Sequence, residues 1–143
     1  MITKTRFIES KQVVPYANLA LENHLLESVA EETCILYLWQ NQRTVVIGRN
    51  QNAWRECRTT ELAADGGYLA RRLSGGGAVF HDLGNLNFTF LLPTKDFDVS
   101  RQLEVILQAM RHLGLAAERS GRNDVTIEGR KFSGNAFYDS RGH

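Results

Sequence analysis

No apolar run in this 143-residue chain approaches the length of a membrane span. The segment Ile35-Leu36-Tyr37-Leu38-Trp39 is among the longest, against the ~20 residues that a spanning helix needs. No charge of one sign dominates either. Lys plus Arg number 17 against 16 Asp plus Glu, a net charge of +1. That balance excludes a general pull toward nucleic acid or anionic lipid, so any anion site must be a local arrangement. Cysteine is scarce: Cys34 and Cys57 share no metal-type spacing, which suits a reduced, cytoplasmic setting. No apolar segment follows the early charges Lys4 and Arg6, so no secretory leader is expected. Repeats, low-complexity stretches and linkers are also missing. What is there is ordinary for a globular domain: 43% hydrophobic and 23% charged residues in a length that suits one domain.

The patterning predicts interspersed strands and helices. Thr5 to Glu9 reads as a first strand, and Pro15 suits the first turn of a helix carrying Ala17, Leu21, Leu25 and Val29 on one face. Cys34 to Gln40 and Thr44 to Arg49 read as strands joined tightly through Asn41-Gln42-Arg43. Thr59 to Ala64 reads as a short helix stopped by Asp65-Gly66-Gly67. Tyr68 to Leu73 and Leu86 to Leu92 read as strands, the latter closed by Pro93. Ser100 to Leu113 carries Leu103, Ile106, Leu107, Met110 and Leu113 as one apolar stripe. Ser100 is placed to cap that helix and Gly114 to end it. Val125-Thr126-Ile127 and Lys131 to Tyr138 flank a turn at Glu128-Gly129-Arg130, a β-hairpin. The later strands follow one another closely. The expected class is therefore mixed α/β (α+β), one mixed β-sheet flanked by helices, rather than a doubly wound parallel sheet.

The most informative segment is Arg71-Arg72-Leu73-Ser74-Gly75-Gly76-Gly77-Ala78-Val79-Phe80-His81-Asp82. Adjacent glycines are costly inside a strand or helix. They are useful where bare N–H groups converge on an anion, and arginine can grip a phosphate or carboxylate with two bonds. Lys-Ser/Thr does not follow, so this is no Walker loop, and the spacing is not GxGxxG. The plain alternative is a flexible glycine turn with an incidental arginine pair. Two further segments add chemistry. Gly121-Arg122-Asn123-Asp124 places an amide and a carboxylate at the mouth of a strand, where Asp124 can hold nucleotide-bound Mg²⁺. Gly129-Arg130-Lys131-Phe132-Ser133-Gly134 places Lys131 beside small residues, where its charge can offset a developing oxyanion. Against these stand a solvated hairpin lysine and a turn-capping aspartate.

Taken together, these residues resemble the lipoate–protein ligase A family. The likeness is carried by Arg71 to Asp82, Asn85 and Asn87-Phe88-Thr89-Phe90. It extends upstream to Asn18-Leu19-Ala20, Glu22, Leu38-Trp39 and Val45 to Asn52. Downstream it takes in Ser120 to Asp124 and Arg130 to Gly134, so that it runs from about Tyr16 to the last residue. The resemblance implies the fold shared by lipoate and biotin ligases. It implies a two-step reaction: ATP and Mg²⁺ convert lipoate to lipoyl-AMP, and the lipoyl group passes to a lysine of an acceptor. The implied acceptors are lipoyl domains of 2-oxoacid dehydrogenase complexes and the glycine cleavage H protein.

The resemblance also assigns roles. Gly76, Gly77, Ala78 and Val79 would line nucleotide and phosphate, and Arg71 would contact the adenylate. Asn123 and Asp124 would lie at the nucleotide, with Asp124 at the metal. Glu22, Trp39, Ser74 and His81 would shape the lipoyl slot. Lys131 would touch both phosphate and acyl oxygens as the catalytic residue. Trp39, Phe80 and Phe88 could keep water from a hydrolysable intermediate. Family catalytic domains run on past residue 143, so residues 1–143 read as the N-terminal portion of one. The remainder and a C-terminal domain are expected elsewhere, or on a second chain. Two alternatives remain open. One is an ATP-independent octanoyl or lipoyl transferase of the same superfamily, using a cysteine or an activated acyl carrier. The other is a non-catalytic lipoate- or nucleotide-binding subunit.

Overall fold

The structure is a computed structural model, and it describes residues 1–121 and 124–140. Asn123 lies outside the described residues. The chain forms two compact units, Met1–Asp96 with the tail from Tyr138, and Phe97–Phe137.

Alternating burial organises the first unit. Along β2 (Thr33–Trp39), Thr33, Ile35, Tyr37 and Trp39 are buried while Cys34, Leu36 and Leu38 are half-buried. A period of two puts the buried set on one face of the strand. Those residues form the core with Leu25 and Leu26 of α1 (Pro15–Ser28), with Val29 and with Leu91 of β6 (Asn87–Leu91). Burying each such Leu, Ile or Val side chain contributes about 1.5–3 kcal/mol. β1 (Lys4–Glu9) pairs parallel with β2, and β6 pairs antiparallel on its other side.

Pro15 opens α1 as expected. The inward face of α1 differs from the expected apolar stripe. Ala17 is exposed, Asn18 is fully buried and Glu22 is half-buried. Polar groups occupy an inward face here because each finds a partner there, as the site geometry below shows.

The next strands form a second sheet. β3 (Thr44–Ile47) runs between β4 (Tyr68–Arg71), to which it is parallel, and β5 (Val79–His81), to which it is antiparallel. Asn41-Gln42-Arg43 therefore carries the chain from one sheet into another, with Asn41 fully buried and Arg43 at φ +37°. Between β3 and β4 lie α2 (Ala53–Glu56), capped by the Asn52 side chain, and α3 (Thr59–Ala64).

In the second unit, α4 (Val99–His112) buries Leu103 and Leu107 against Ala117 of β7 (Ala117–Ser120) and Val125 of β8 (Asp124–Ile127). Leu113, assigned to the stripe from its spacing, is 71% exposed. The cap is Asp98, not Ser100: the Asp98 carboxylate accepts from the N–H groups of Ser100 at 2.9 Å and Arg101 at 3.2 Å. A charged acceptor also gains from the positive end of the helix dipole. Gly114 does end the helix, at φ +78°.

β8 and β9 (Arg130–Gly134) form the expected hairpin. Glu128 at +51° and Gly129 at +73° give two successive positive φ values, the turn that matches strand twist. β9 stops at Gly134, short of Tyr138. The architecture is thus mixed α+β as expected, and among the described residues its strands form three three-stranded sheets. Among the described residues, no helix is long and apolar enough to cross a membrane.

Candidate active site

The glycine run is held by its carbonyls. Arg72 donates from Nε and Nη2 to the Gly75 carbonyl at 3.2 and 2.8 Å, and from Nη2 to the Gly77 carbonyl at 2.7 Å. Its Nη1 reaches the Val46 carbonyl in β3 at 3.3 Å. The Ser74 carbonyl accepts the Arg49 N–H at 3.0 Å. The Gly76 carbonyl lies against Gly48, where a Cβ would come within 2.1 Å of it. Gly76 itself sits at φ +97°, which glycine alone adopts cheaply. The loop's acceptors are therefore turned inward. Among the described residues, the N–H groups of Gly75, Gly76 and Gly77 meet no acceptor. Unpaired backbone donors of this kind are what an anion-binding turn requires.

Arg71 braces the neighbouring loop. Its Nη1 donates to the carbonyls of Gly48, Arg49 and Gln51 at 3.0, 3.0 and 2.7 Å. Ala78 and Val79 continue the run into β5, with Ala78 half-buried and Val79 exposed. Phe80 is 59% exposed and so shields nothing in this unit.

A buried polar cluster lies on the core side of β2. Trp39 stacks on Tyr37 with ring centroids 6.0 Å apart, and its indole meets the His81 ring edge-on at 6.1 Å. The indole N–H donates to Thr89 Oγ1 at 3.1 Å, and Thr89 donates onward to Glu22 Oε1 at 2.7 Å. Burial pushes the Glu22 carboxyl above its ordinary value, a rise that the Thr89 hydrogen bond opposes. Burial also lowers His81, with help from the Arg72 charge and against the pull of Asp82. Three of the expected slot residues, Glu22, Trp39 and His81, thus gather into one cluster. The Ser74 side chain makes no hydrogen bond among the described residues.

The remaining expected residues belong to the second unit. Lys131 Nζ pairs with Asp124 Oδ2 at 3.2 Å across the hairpin. The bare Gly134 lies beside the pair, where an added Cβ would come within 3.1 Å of Lys131 Nζ. Among the described residues, no three His, Cys, Asp or Glu side chains gather to hold a metal. Mg²⁺ needs only one or two carboxylates beside substrate phosphates; Asp124 offers one carboxylate, 3.2 Å from Lys131 Nζ.

The sequence reading passed over Asn41 and gave no separate role to Arg72. Asn41 is fully buried, bonding Asn18 at 3.0 Å and His81 at 3.2 Å. Its only local signal was a polar residue following a strand of buried aromatics.

A glycine loop with unpaired N–H groups and a buried polar cluster thus sit together in one α+β unit. The chain belongs to the lipoyl protein ligase A/B catalytic domain family, whose profile matches residues 14–143. It is 48% identical to the lipoate-protein ligase A of Psychrobacter cryohalolentis over 134 residues, 94% of this chain and 40% of that protein. It is 46% identical to that of Blochmanniella pennsylvanica over 142 residues, 96% of this chain and 42% of that one. The chain thus spans about two-fifths of the length of these relatives.

Among solved structures, a P. falciparum protein in complex with lipoate superposes with a TM-score of 0.88 at 37% identity, over 96% of this chain and 45% of that one. A bi-partite lipoate protein ligase from Thermoplasma acidophilum, described with its E2 lipoyl domain, gives 0.85 at 31%, over 97% and 58%. A lipoate-protein ligase A bound with ATP gives 0.80 at 28%, over 99% and 63%.

Proposed function

We propose that this chain is the N-terminal portion of a lipoate–protein ligase catalytic domain, acting in lipoate activation and transfer. The observation that carries the reading is the glycine loop, whose carbonyls are tied inward and whose N–H groups are unpaired. Such a loop favours an oxyanion, as on a phosphate. The ATP-bound and lipoate-bound neighbours support the choice of ligands.

In the proposed first step, a lipoate carboxylate oxygen attacks the α-phosphorus of ATP. A P–O bond forms, and pyrophosphate leaves with the electron pair of the bond that breaks. In the second step a lysine amine of the acceptor attacks the acyl carbonyl. An amide forms, AMP leaves, and the amine gives up a proton. Two anions must meet in the first step, so fixed cations and N–H donors lower its barrier. The proposed roles are phosphate binding for Gly76, Gly77, Ala78 and Val79, and loop bracing near the adenylate for Arg71. Lys131 is proposed as catalyst, with Asn123 and Asp124 at the nucleotide. Asp124 would hold Mg²⁺, which supplies charge neutralisation on the phosphates. Glu22, Trp39, Ser74 and His81 are proposed to shape the lipoyl slot.

The proposed acceptors are lipoyl domains, in keeping with the E2 lipoyl domain described for the Thermoplasma neighbour. That neighbour is bi-partite, which supports a second chain or further segment as the source of the remaining catalytic domain. The free cysteines agree with a cytoplasmic setting.

The ATP-independent transferase reading is the weaker one. Cys34 lies among the half-buried residues of β2, alternating with the Ile35, Tyr37 and Trp39 set, and burial raises its thiol. A raised thiol supplies little thiolate nucleophile.

Lipoate-dependent exchange of labelled pyrophosphate into ATP tests the proposal. The chain is expected to support exchange, and Lys131→Ala to lose at least about a hundredfold, the scale of one preorganised charge contact. Exchange without lipoate, or an unchanged rate in Lys131→Ala, would overturn it. A folded chain without exchange would turn the reading to a binding subunit.

A further inference from the structure

The buried amides around α1 decide where the His81 ring carries its proton. The Asn18 Nδ2 group faces the backbone carbonyls of Gln12 at 3.2 Å and Gln40 at 2.8 Å. Carbonyls only accept, so this end of the amide must be the donor. Its Oδ1 correspondingly accepts from Ser10 Oγ at 2.6 Å and from the Tyr37 hydroxyl at 3.3 Å. Asn18 Nδ2 also reaches the Asn41 side chain at 3.0 Å, so the Asn41 atom it meets must be Oδ1. Turned the other way, Asn41 would set its amide nitrogen 3.0 Å from the Asn18 amide nitrogen, two donors facing each other in a buried site. The remaining Asn41 atom, Nδ2, is then the one 3.2 Å from His81 Nδ1. An amide nitrogen can only donate, so His81 Nδ1 must accept.

We propose that Asn41 is a positioning residue that fixes His81 as the Nε2–H tautomer, so that the ring presents a neutral donor at Nε2 and no lone pair there. Nε2 makes no hydrogen bond among the described residues. Burial keeps the ring in its neutral form, and the nearby Arg72 charge does the same. The Trp39 indole, edge-on at 6.1 Å, restrains the ring plane. Within the ligase reading, a neutral N–H suits a carboxylate, acyl or phosphoryl oxygen. The opposite tautomer would turn a lone pair toward the same oxygens and repel them. The purpose of the device rests on that reading; the tautomer itself does not.

The experiment is nitrogen-detected NMR of the ¹⁵N-histidine-labelled chain at neutral pH without ligand, with His81 assigned by loss of its lines in His81→Gln. An unprotonated Nδ1 and a protonated Nε2 are expected. In Asn41→Asp, which keeps the shape and the acceptor for Asn18 but replaces the donor, Nδ1 is expected to shift into the protonated range. A protonated Nδ1 in the unsubstituted chain, or an unmoved Nδ1 in folded Asn41→Asp, would overturn the proposal. Should Asn41→Asp not fold, a through-hydrogen-bond coupling between Asn41 Nδ2 and His81 Nδ1 in the unsubstituted chain decides. Its presence supports the proposal and its absence sinks it. The measurement involves neither lipoate nor ATP, so it can fail while the ligase reading stands, and the reverse.

Discussion

The glycine loop and the β8–β9 hairpin both carry residues proposed for catalysis, and they are built on opposite plans. The loop's shape is set by carbonyls held by Arg72, by a bare Gly48 against the Gly76 carbonyl, and by the Val46 carbonyl of β3 that anchors Arg72. The hairpin's shape is set by backbone pairing and a two-residue turn, with its charges left outside. Its Lys131–Asp124 pair has side chains 62% and 41% exposed, the class of ion pair that contributes about 0.2–1 kcal/mol. The loop has its donors arranged before any ligand arrives. The hairpin keeps a lysine whose carboxylate partner can be exchanged for another anion at little cost.

Substitutions can break or sharpen this contrast. The largest effect is expected at Gly48→Ala. The new Cβ would come within 2.1 Å of the Gly76 carbonyl, and overpacking of this kind costs about 3 kcal/mol. Gly77→Ala, with nothing within 4 Å of the added Cβ, should stay within about 0.5 kcal/mol of the unsubstituted chain. Guanidinium melts compare the two, and equal midpoints would mean that the loop is not seated on Gly48.

A middle effect is expected at Glu22. Burial raises its carboxyl in the folded chain, so the folded state holds that proton more tightly than the unfolded state does. Ionising Glu22 as pH rises therefore costs stability. Glu22→Gln should be more stable at pH 7 by about 1 kcal/mol, with the gap closing as pH falls into the ordinary glutamate range. Melting curves across pH check this, and a gap that widens in acid would reverse the assignment. The smallest effect on stability is expected at Asp124→Asn, a change under about 1 kcal/mol in urea unfolding because the pair is exposed. A loss above about 2 kcal/mol would show that the hairpin depends on its charges after all.

Legibility in the sequence followed the range of the interactions. The α4 stripe apart from Leu113, the α3 stop and the Glu128-Gly129 turn are local features, and each lies where spacing placed it. β5 escaped notice because it has only three residues, Val79 to His81, between the glycine run and Asp82. β7 escaped because Ala117-Glu118-Arg119-Ser120 buries Ala117 alone. Ser100 and Asp98 both had side chains suited to a cap, and the carboxylate took the role. In the candidate site, the glycine run was visible as composition. That Arg72 grips the loop's carbonyls was not visible, because two neighbouring arginines look alike until their partners are placed. Asn18 and Asn41 were unreadable for a similar reason: their side-chain partners lie 6 to 40 residues away along the chain.

The line of amides from Ser10 through Asn18 and Asn41 to His81 has a consequence for inheritance. The Gln12 and Gln40 carbonyls set the sense of Asn18, Asn18 sets that of Asn41, and Asn41 that of His81. A change at any single position presents its neighbour with the wrong polarity inside a buried space. Drift at one position is therefore blocked unless a second position changes with it. Across descendants of this chain, Asn18, Asn41 and His81 should behave as a single hereditary character, kept whole or replaced whole.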